Sequence, residues 1–409
     1  MVSDCTSPDA PKLYRQGTHR TVSPAETLAR VRPFLDAMGI TRVANVTGLD
    51  RIGIPVVTVV RPNSRSVAVS QGKGATLDAA KASGVMEAIE GFHAERIEKP
   101  LRLGSRNELA ASLDLADLDG LARLHGSRVD GDLPLLWIEG FDWIAKRSVW
   151  LPYEVVHSNY TLPSVARSGC FVESTNGLAS GNHMLEAVAH GIAEVVERDA
   201  TTLWNRLPDA TRRKTRLDLD SVDDLTCSSL IGQLRNAGMS VGVWNITSDV
   251  GVPSFFCLIV DDRLKLGHSG AGAGCHPARE IALLRALTEA VQVRTNYITG
   301  ARDDLRRDEY EASGLAAKLA WARRLMDGQT SVDFRQIAST DFVSLGEDID
   351  WMLERLQGVG IGQVISVDLT RPEFGVPVAR VVIPGLEGPD DHDHYSPGLR
   401  ALALGGRRP

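Results

Sequence analysis

The sequence predicts a mixed α/β (α+β) fold of repeated strand–Gly turn–helix modules around one central site, neither a P-loop nor a Rossmann arrangement. Three observations lead there. Short β-branched runs alternate with amphipathic helical segments along the chain. Three of those helices follow Gly-rich stretches. Each of the three also ends in a Glu pair or a Glu-Gln pair at a matching position. With 43% hydrophobic and 24% charged residues over 409 positions, the composition is that of a globular chain able to bury a large core.

Taken in order, Ser23-Pro24-Ala25-Glu26 combines an N-cap, a proline at N1 and a glutamate at N3. Leu28, Val31, Leu35 and Met38 then follow helical spacing, so a helix is predicted up to Gly39. Val43 to Val46 and Ile54 to Val60 read as strands. The first module runs from Val67 through Gly72-Lys73-Gly74 into a helix containing Val85 to Glu90. Residues 100–165 mix helix and strand signals. The second module starts with the strand-like run Phe171 to Gly177 and passes Gly181 into a helix containing Ile192 to Arg198. The third leads from Ser269-Gly-Ala-Gly-Ala-Gly274 to Leu287 to Gln292. Residues 302–358 read as mainly helical, with Trp321 and Trp351 as packing residues. A strand pair, Val364 to Val367 and Val378 to Ile383, precedes a Pro- and Gly-rich tail that reads as irregular from Gly388 on.

Charge narrows the function classes. The 45 basic and 52 acidic residues give a net −7, which repels phosphate backbones, and no basic patch overrides it, so nucleic acid is not an expected partner. The longest apolar stretch, Phe255 to Val260, is strand-sized, so no membrane span is expected. Met1 to Pro11 is polar without an apolar h-region, which points to a cytoplasmic protein. The five cysteines, Cys5, Cys170, Cys227, Cys257 and Cys275, are odd in number and lack C-x-x-C spacing, against a disulfide framework or a zinc ribbon. Cys275 lies beside His276, but sequence neighbours point apart, and the thiol reads as a small buried residue.

The candidate site comes from helical periodicity. Positions three and four apart share a helix face. Ser83, Glu87 and Glu90 therefore form one stripe, opposite Val85, Ile89 and Phe92. Glu186, His190, Glu194 and Glu197 form a second, and Arg285, Glu289 and Gln292 a third. Glutamates on the polar side of an amphipathic helix are ordinarily solvated. Here the stripes contain no lysine, they recur at matching places, and they follow Gly-rich segments whose bare N–H groups suit anions. Carboxylates together with anion-binding turns imply divalent cations, and hard oxygen ligands suit Mg²⁺ bridged to nucleotide phosphates. The acidic–His stretch Asp390 to His394 reads as a solvated loop.

At these residues the chain resembles the YcaO family. Ser83, Glu87 and Glu90 match Ser-x-x-x-Glu-x-x-Glu. Asn182, Glu186, Glu194, Glu197 and Arg198 match Asn-x-x-x-Glu followed by Glu-x-x-Glu-Arg, and Arg285 to Arg294 match an Arg-Ala-x-Thr-Glu-Ala-x-Gln-x-Arg helix. Leu49 to Pro55 and Gly72-Lys73-Gly74 also look like this family. The resemblance runs from about Tyr14 to Glu387. It implies a single composite domain over 14–387 with modules about 66–95, 170–200 and 265–296, an N-terminal extension 1–13 and a C-terminal tail 388–409. It further implies that Glu87, Glu90, Glu194, Glu197 and Glu289 hold Mg²⁺, and that Asn182, Glu186, Arg198 and Gln292 contact ATP. Arg20 and Thr27 stand where the family places a basic and a hydroxyl contact, and Lys73 and Ser83 join the nucleotide set.

The activity implied is ATP-dependent activation of peptide backbone amides. A nucleophile adds to the carbonyl, ATP phosphorylates the oxyanion, and loss of phosphate leaves an azoline or a thioamide. Azoline-forming members end in Pro-x-Pro-x-Pro, whereas this chain ends Leu404-Gly-Gly-Arg-Arg-Pro409. That departure favours a thioamide or another amide product such as an amidine. The expected partners are a peptide substrate and a TfuA-like or leader-peptide-binding protein, since no N-terminal leader-binding domain is expected, with a homodimer also allowed. An ATPase that assists modification of a larger protein, such as methylthiolation of a ribosomal protein, and a non-catalytic peptide- and nucleotide-binding scaffold are the alternatives. A metal-dependent hydrolase finds no His-rich ligand set to support it.

Overall fold

The structure is a computed structural model describing residues 9–127, 129–264, 266–390 and 395–404. Cys5 and all but Asp390 of the acidic–His stretch lie outside the described residues. The first helix begins as its sequence dictates: the Ser23 side chain accepts the Glu26 N–H, and Glu26 reaches back to the Ser23 backbone. It spans only Pro24–Val31 and tightens into a 3₁₀ turn, Arg32–Phe34, instead of running to Met38. Pro33 is the cause, since its ring lacks a donor and crowds the carbonyl one turn back.

Two modules share one design. Strands Arg42–Asn45, Val56–Val60 and Val69–Lys73 form an antiparallel sheet that leads into helix Leu77–Ala94. Strands Met239–Asn245, Ser254–Asp261 and Gly270–Cys275 form another that leads into helix Arg279–Thr299. The middle module borrows its strands from far along the chain. Leu178–Ser180 pairs antiparallel with Val378–Val382, which pairs with Ile365–Asp368, then Leu135–Asp142 and Leu101–Gly104. Arg147–Pro152 also pairs with Leu135–Asp142. Helix Met184–Asn205 follows Leu178–Ser180 and buries Val188, Ile192 and Val196 with Ala379 and Val381. The mixed signals of residues 100–165 thus resolve into three strands of this sheet, a one-turn helix at Arg106–Leu109, and 3₁₀ turns at Leu118–Gly120 and Tyr153–Val155. In 302–358, helices Ala312–Met326 and Leu345–Gly358 flank a stretch that contributes Val332–Asp333 to a parallel pair with Leu217–Asp218 and then forms a 3₁₀ turn, Phe334–Gln336. Trp321 and Trp351 pack, partly buried, at the margins of two core clusters.

Three expectations are corrected. The glycines expected to make anion-binding turns lie inside strands: Gly72 in Val69–Lys73, and Gly270, Gly272 and Gly274 in Gly270–Cys275. Spacing by two puts the latter three on one strand face, against the following helix. A Cβ on Gly270 would stand 1.9 Å from Ala290 O, and one on Gly274 2.1 Å from Ala282 O; on Gly72 it would stand 1.9 Å from Ala80 O. These residues are glycine because helix and strand backbones touch there.

The run Phe171 to Gly177 is not a strand, for Glu173-Ser174-Thr175-Asn176 offers no buried apolar alternation. The short strand follows it, at Leu178–Ser180. Nor is the tail wholly irregular. Asp199 accepts from Arg400 Nε at 2.9 Å and from the Glu387 backbone N–H at 3.0 Å, and Leu399–Ala403 is a short helix. Such long-range ion pairs leave no periodic trace in sequence.

The four described cysteines are buried and free. Burial pushes the Cys275 thiol up to about 12, consistent with a packing residue. Among the described residues no helix is long and apolar enough to cross a membrane.

Candidate active site

The three module helices open their polar stripes onto one cavity of about 490 Å³. All of the expected site residues line it: Arg20, Thr27, Lys73, Ser83, Glu87, Glu90, Asn182, Glu186, Glu194, Glu197, Arg198, Glu289 and Gln292. Each stripe arrives there because the opposite face of its helix is anchored in the core. Val85, Ile89 and Phe92 sit in one cluster, Val188, Ile192 and Val196 in a second, and Leu283, Leu287 and Val291 in a third.

At the start of the Met184–Asn205 helix the contacts knit the N-terminal segment to the second module. Glu186 is buried, and its Oε2 accepts from the Asn182 backbone N–H at 2.7 Å and from Thr21 Oγ1 at 3.0 Å. Its Oε1 has no hydrogen-bond partner, and Arg20 Nε stands 3.7 Å away. Asn182 Nδ2 donates to Thr27 Oγ1 at 3.0 Å. The first and third modules meet where Lys73 Nζ contacts Glu289 Oε2 at 2.6 Å and Gln292 Nε2 donates to the Gln71 carbonyl at 3.1 Å. Both Gln292 Oε1 and the Gln71 side chain are left unpartnered and buried.

The carboxylates are under electrostatic stress. Burial pushes Glu87 up to about 7, with Lys73 and Arg302 opposing. It pushes Glu90 up to about 8, despite a 2.7 Å hydrogen bond from Ser180 Oγ, and neighbouring Glu87 and Glu194 add to the rise. Glu197 is also raised by burial, and its Oε2 is orphaned, while Oε1 lies 3.9 Å from Arg198. For Glu289 burial acts in the same direction, but Lys73 and Arg198 outweigh it and hold the carboxyl below its ordinary range. Carboxyls gathered in a desolvated cavity, one with a bare buried oxygen, are a donor set that fits hard divalent cations.

Among the described residues, the ligand atoms that converge tightly enough for one ion belong instead to His19, His276 and Asp348. There Lys12 Nζ sits 2.7 Å from Asp348, as Lys73 Nζ sits 2.6 Å from Glu289 in the main cavity. No three of the five glutamates bring ligand atoms within 4.8 Å of one another, and Mg²⁺ takes one or two carboxylates and completes its shell with phosphates and water.

Sequence reasoning missed the cavity residues Ser180 and Arg302 and the supporting residue Thr21. Ser180 holds Glu90, Thr21 holds Glu186, and Arg302 reaches the cavity from beyond the third helix. Ser180 lies two residues before Asn182 and shares its strand exit, a signal that was there to read. Arg302 belongs to no spaced motif. His190 and Arg285 were on the stripes without a role; burial, with Arg285 beside it, keeps His190 well below the usual imidazole range, so the ring is neutral.

The family model described as YcaO cyclodehydratase, binding ATP and Mg²⁺, matches residues 71–387. The chain belongs to the YcaO family. An "Uncharacterized protein in tfuA 3'region" of Rhizobium leguminosarum bv. trifolii is 34% identical over 390 residues, covering 94% of this chain and 92% of the relative. A Methanothermobacter thermautotrophicus protein is 35% identical over 374 residues, covering 90% of this chain and 95% of its own length. Among solved structures, YcaO from Methanopyrus kandleri bound with AMPPCP and Mg²⁺ superposes with a TM-score of 0.75 at 25% identity, covering 92% of this chain and 95% of that one. A heterocyclase in complex with substrate and cofactor gives 0.78 at 22% identity over 93% of this chain, which spans only 54% of the heterocyclase. The family and fold expected from the spaced motifs therefore hold, and ATP and Mg²⁺ are the cofactors of this YcaO chain.

The raised carboxyls give a pH dependence whose sign is fixed. Glu87 and Glu90 hold protons in the folded state up to about 7 and about 8, whereas in the unfolded chain they release them near the ordinary 4.5. Between those values the folded state binds more protons, so these two groups make the apo protein less stable as pH rises. Mg²⁺ held by these two carboxyls would have to displace the same protons, so stabilisation by Mg-AMPPCP should grow from pH 6 to pH 8. Thermal unfolding in EDTA and in Mg-AMPPCP, compared with a Glu87→Gln/Glu90→Gln variant, checks this. The variant should show a flatter apo profile and little nucleotide stabilisation.

Proposed function

We propose that this chain uses Mg-ATP to phosphorylate the oxygen of a peptide backbone amide, so that the oxygen can leave as phosphate. The observation that supports this most is the convergence of three lysine-free carboxylate stripes, from three modules, on one cavity. The AMPPCP- and Mg²⁺-bound relative and the substrate-bound heterocyclase agree with it. ATP supplies the phosphoryl group, and Mg²⁺ supplies charge neutralisation on its phosphates. Glu87, Glu90, Glu194, Glu197 and Glu289 hold Mg²⁺, directly or through water. Arg20, Thr27, Ser83, Asn182, Glu186 and Gln292 position the nucleotide. Lys73 and Arg198 place positive charge toward phosphate oxygens, Arg198 with a planar fork suited to two of them. These positions would belong to one composite domain over 14–387.

An amide oxygen is a poor leaving group, and phosphorylation converts it into a good one, which gives the reaction its need for ATP. The product is a thioamide where the nucleophile is sulfide, or an azoline where it is a substrate Cys, Ser or Thr. The relative from the tfuA 3' region favours the thioamide and a TfuA-like partner. Incubation with Mg-ATP, sulfide and candidate peptides, with and without such a partner, decides among the outcomes by mass. Exchange of oxygen for sulfur means thioamide, and loss of water means azoline or amidine. ATP turnover without any peptide change would favour assistance to a larger protein, and no turnover under any condition would leave a scaffold.

A further inference from the structure

Helix Arg279–Thr299 ends at Gly300, whose φ of 55° is left-handed, and the residues just beyond it meet the first module. Asp303 Oδ2 accepts the Ala68 N–H at 3.2 Å, and Val67 and Val69, on either side of Ala68, line the main cavity. Arg302, the residue before Asp303, lines the same cavity. No spaced motif includes it, and the nucleotide and Mg²⁺ sets named above leave it without a role.

The Arg302 guanidinium is held in a fixed plane and can still be reached. Its Nε and Nη2 donate to the two carboxylate oxygens of Asp304 at 2.8 and 2.5 Å, a fork that sets the orientation of the group. Those bonds leave further N–H groups of the guanidinium over, and among the described residues these have no partner. The side chains of Arg302 and Asp304 are 26% and 47% exposed. A pair this exposed adds little to the fold, so holding the chain together does not account for an arginine at the cavity. Its charge acts on Glu87, opposing the rise that burial imposes on that carboxyl.

Arg302 therefore belongs to the carboxylate side of the cavity. The Arg20–Glu186 and Thr27–Asn182 contacts gather elsewhere, at the start of helix Met184–Asn205. Metal ions in phosphoryl-transfer sites bridge β- and γ-oxygens, so a cation beside a carboxylate of the Mg²⁺ set meets the terminal end of the triphosphate. The γ-phosphoryl group presents more oxygens there than the metal takes, and the free edge of a guanidinium fits those that remain. We propose that Arg302 donates to an oxygen of the γ-phosphoryl group of ATP, with Asp304 as the positioning residue that fixes its plane. This rests on the phosphoryl-transfer reading above and names the residue that holds the group to be transferred. A donor preset in this way needs no reorganisation as charge shifts during transfer.

The test is calorimetric titration of the full chain, in the presence of Mg²⁺, with AMPPCP and with ADP. Arg302→Ala should weaken AMPPCP by about tenfold or more, the worth of one hydrogen bond to a charged group, and leave ADP within about twofold of wild type. Arg302→Lys, which keeps the charge without the fork, should fall between. The comparison isolates the terminal phosphate. Losing a positive charge near Glu87 alters Mg²⁺ binding with either nucleotide, whereas only AMPPCP carries the γ-phosphoryl group. Circular dichroism checks that both variants stay folded, as the exposure of the pair predicts. Equal losses for the two nucleotides would overturn the assignment, as would unchanged AMPPCP binding. Failure of the wild type to bind Mg-AMPPCP at all would strike down the nucleotide reading, and this assignment with it.

Discussion

Replacing Glu197 by Gln should weaken Mg²⁺-dependent nucleotide binding by about 100-fold or more and leave the apo fold intact. Glu197 is 1% exposed, burial raises its pKa, and one of its oxygens has no partner. A buried carboxylate in that state contributes little to the unliganded fold, and neutralising it relieves a desolvated charge. The apo unfolding midpoint should therefore stay level or rise slightly. The same change removes a charge from the place where Mg²⁺ and the triphosphate would be held. Losses of 10- to 100-fold are usual for residues that merely support a metal ligand, so a loss of about 100-fold or more is expected for one that holds the ion. Calorimetric titration with Mg-AMPPCP measures it. Unchanged affinity would remove Glu197 from the metal set, and collapse of the apo protein would make it structural.

The second large effect lies away from the chemistry. Gly270→Ala should cost about 3 kcal/mol of stability, because the added methyl would meet Ala290 O at 1.9 Å and one of two backbones must move. Gly72→Ala should behave alike against Ala80 O. Helix Arg279–Thr299 carries Glu289 and Gln292 into the cavity, so shifting it by a few tenths of an ångström should also weaken Mg-AMPPCP binding in the folded fraction. Gly232→Ala is the control. Gly232 lies within helix Leu225–Asn236 with nothing near its would-be Cβ, and should gain roughly 0.5–1 kcal/mol. Urea unfolding separates the three variants, and equal stabilities for Gly270→Ala and wild type would contradict the close packing.

How far the molecule was legible follows from these residues. The carboxylate stripes could be read because helical period is local: Glu87 and Glu90, or Glu194 and Glu197, share a face by spacing alone, and their convergence was implied by three matching copies. The glycines misled because Gly-x-Gly has low strand propensity and reads as a turn. Yet spacing by two was itself the clue to one strand face pressed on a helix. Pro33 was a visible helix breaker, overridden by a helical pattern that continued to Met38. The sheet beneath the second module was illegible, since Leu178–Ser180 finds its partner two hundred residues on, at Val378–Val382. The same applies to Arg400 on Asp199, where distant segments meet.

The excess acid of this chain, which seemed to exclude phosphate partners, is concentrated in part where phosphates would be held through Mg²⁺. The account's central claim is that phosphate leaves carrying the oxygen of a peptide amide. The most direct measurement uses a modified peptide's precursor labelled with heavy oxygen at the reacting backbone carbonyl and follows the label during Mg-ATP turnover. The account predicts labelled phosphate in step with peptide modification. Product formation with unlabelled phosphate would contradict it.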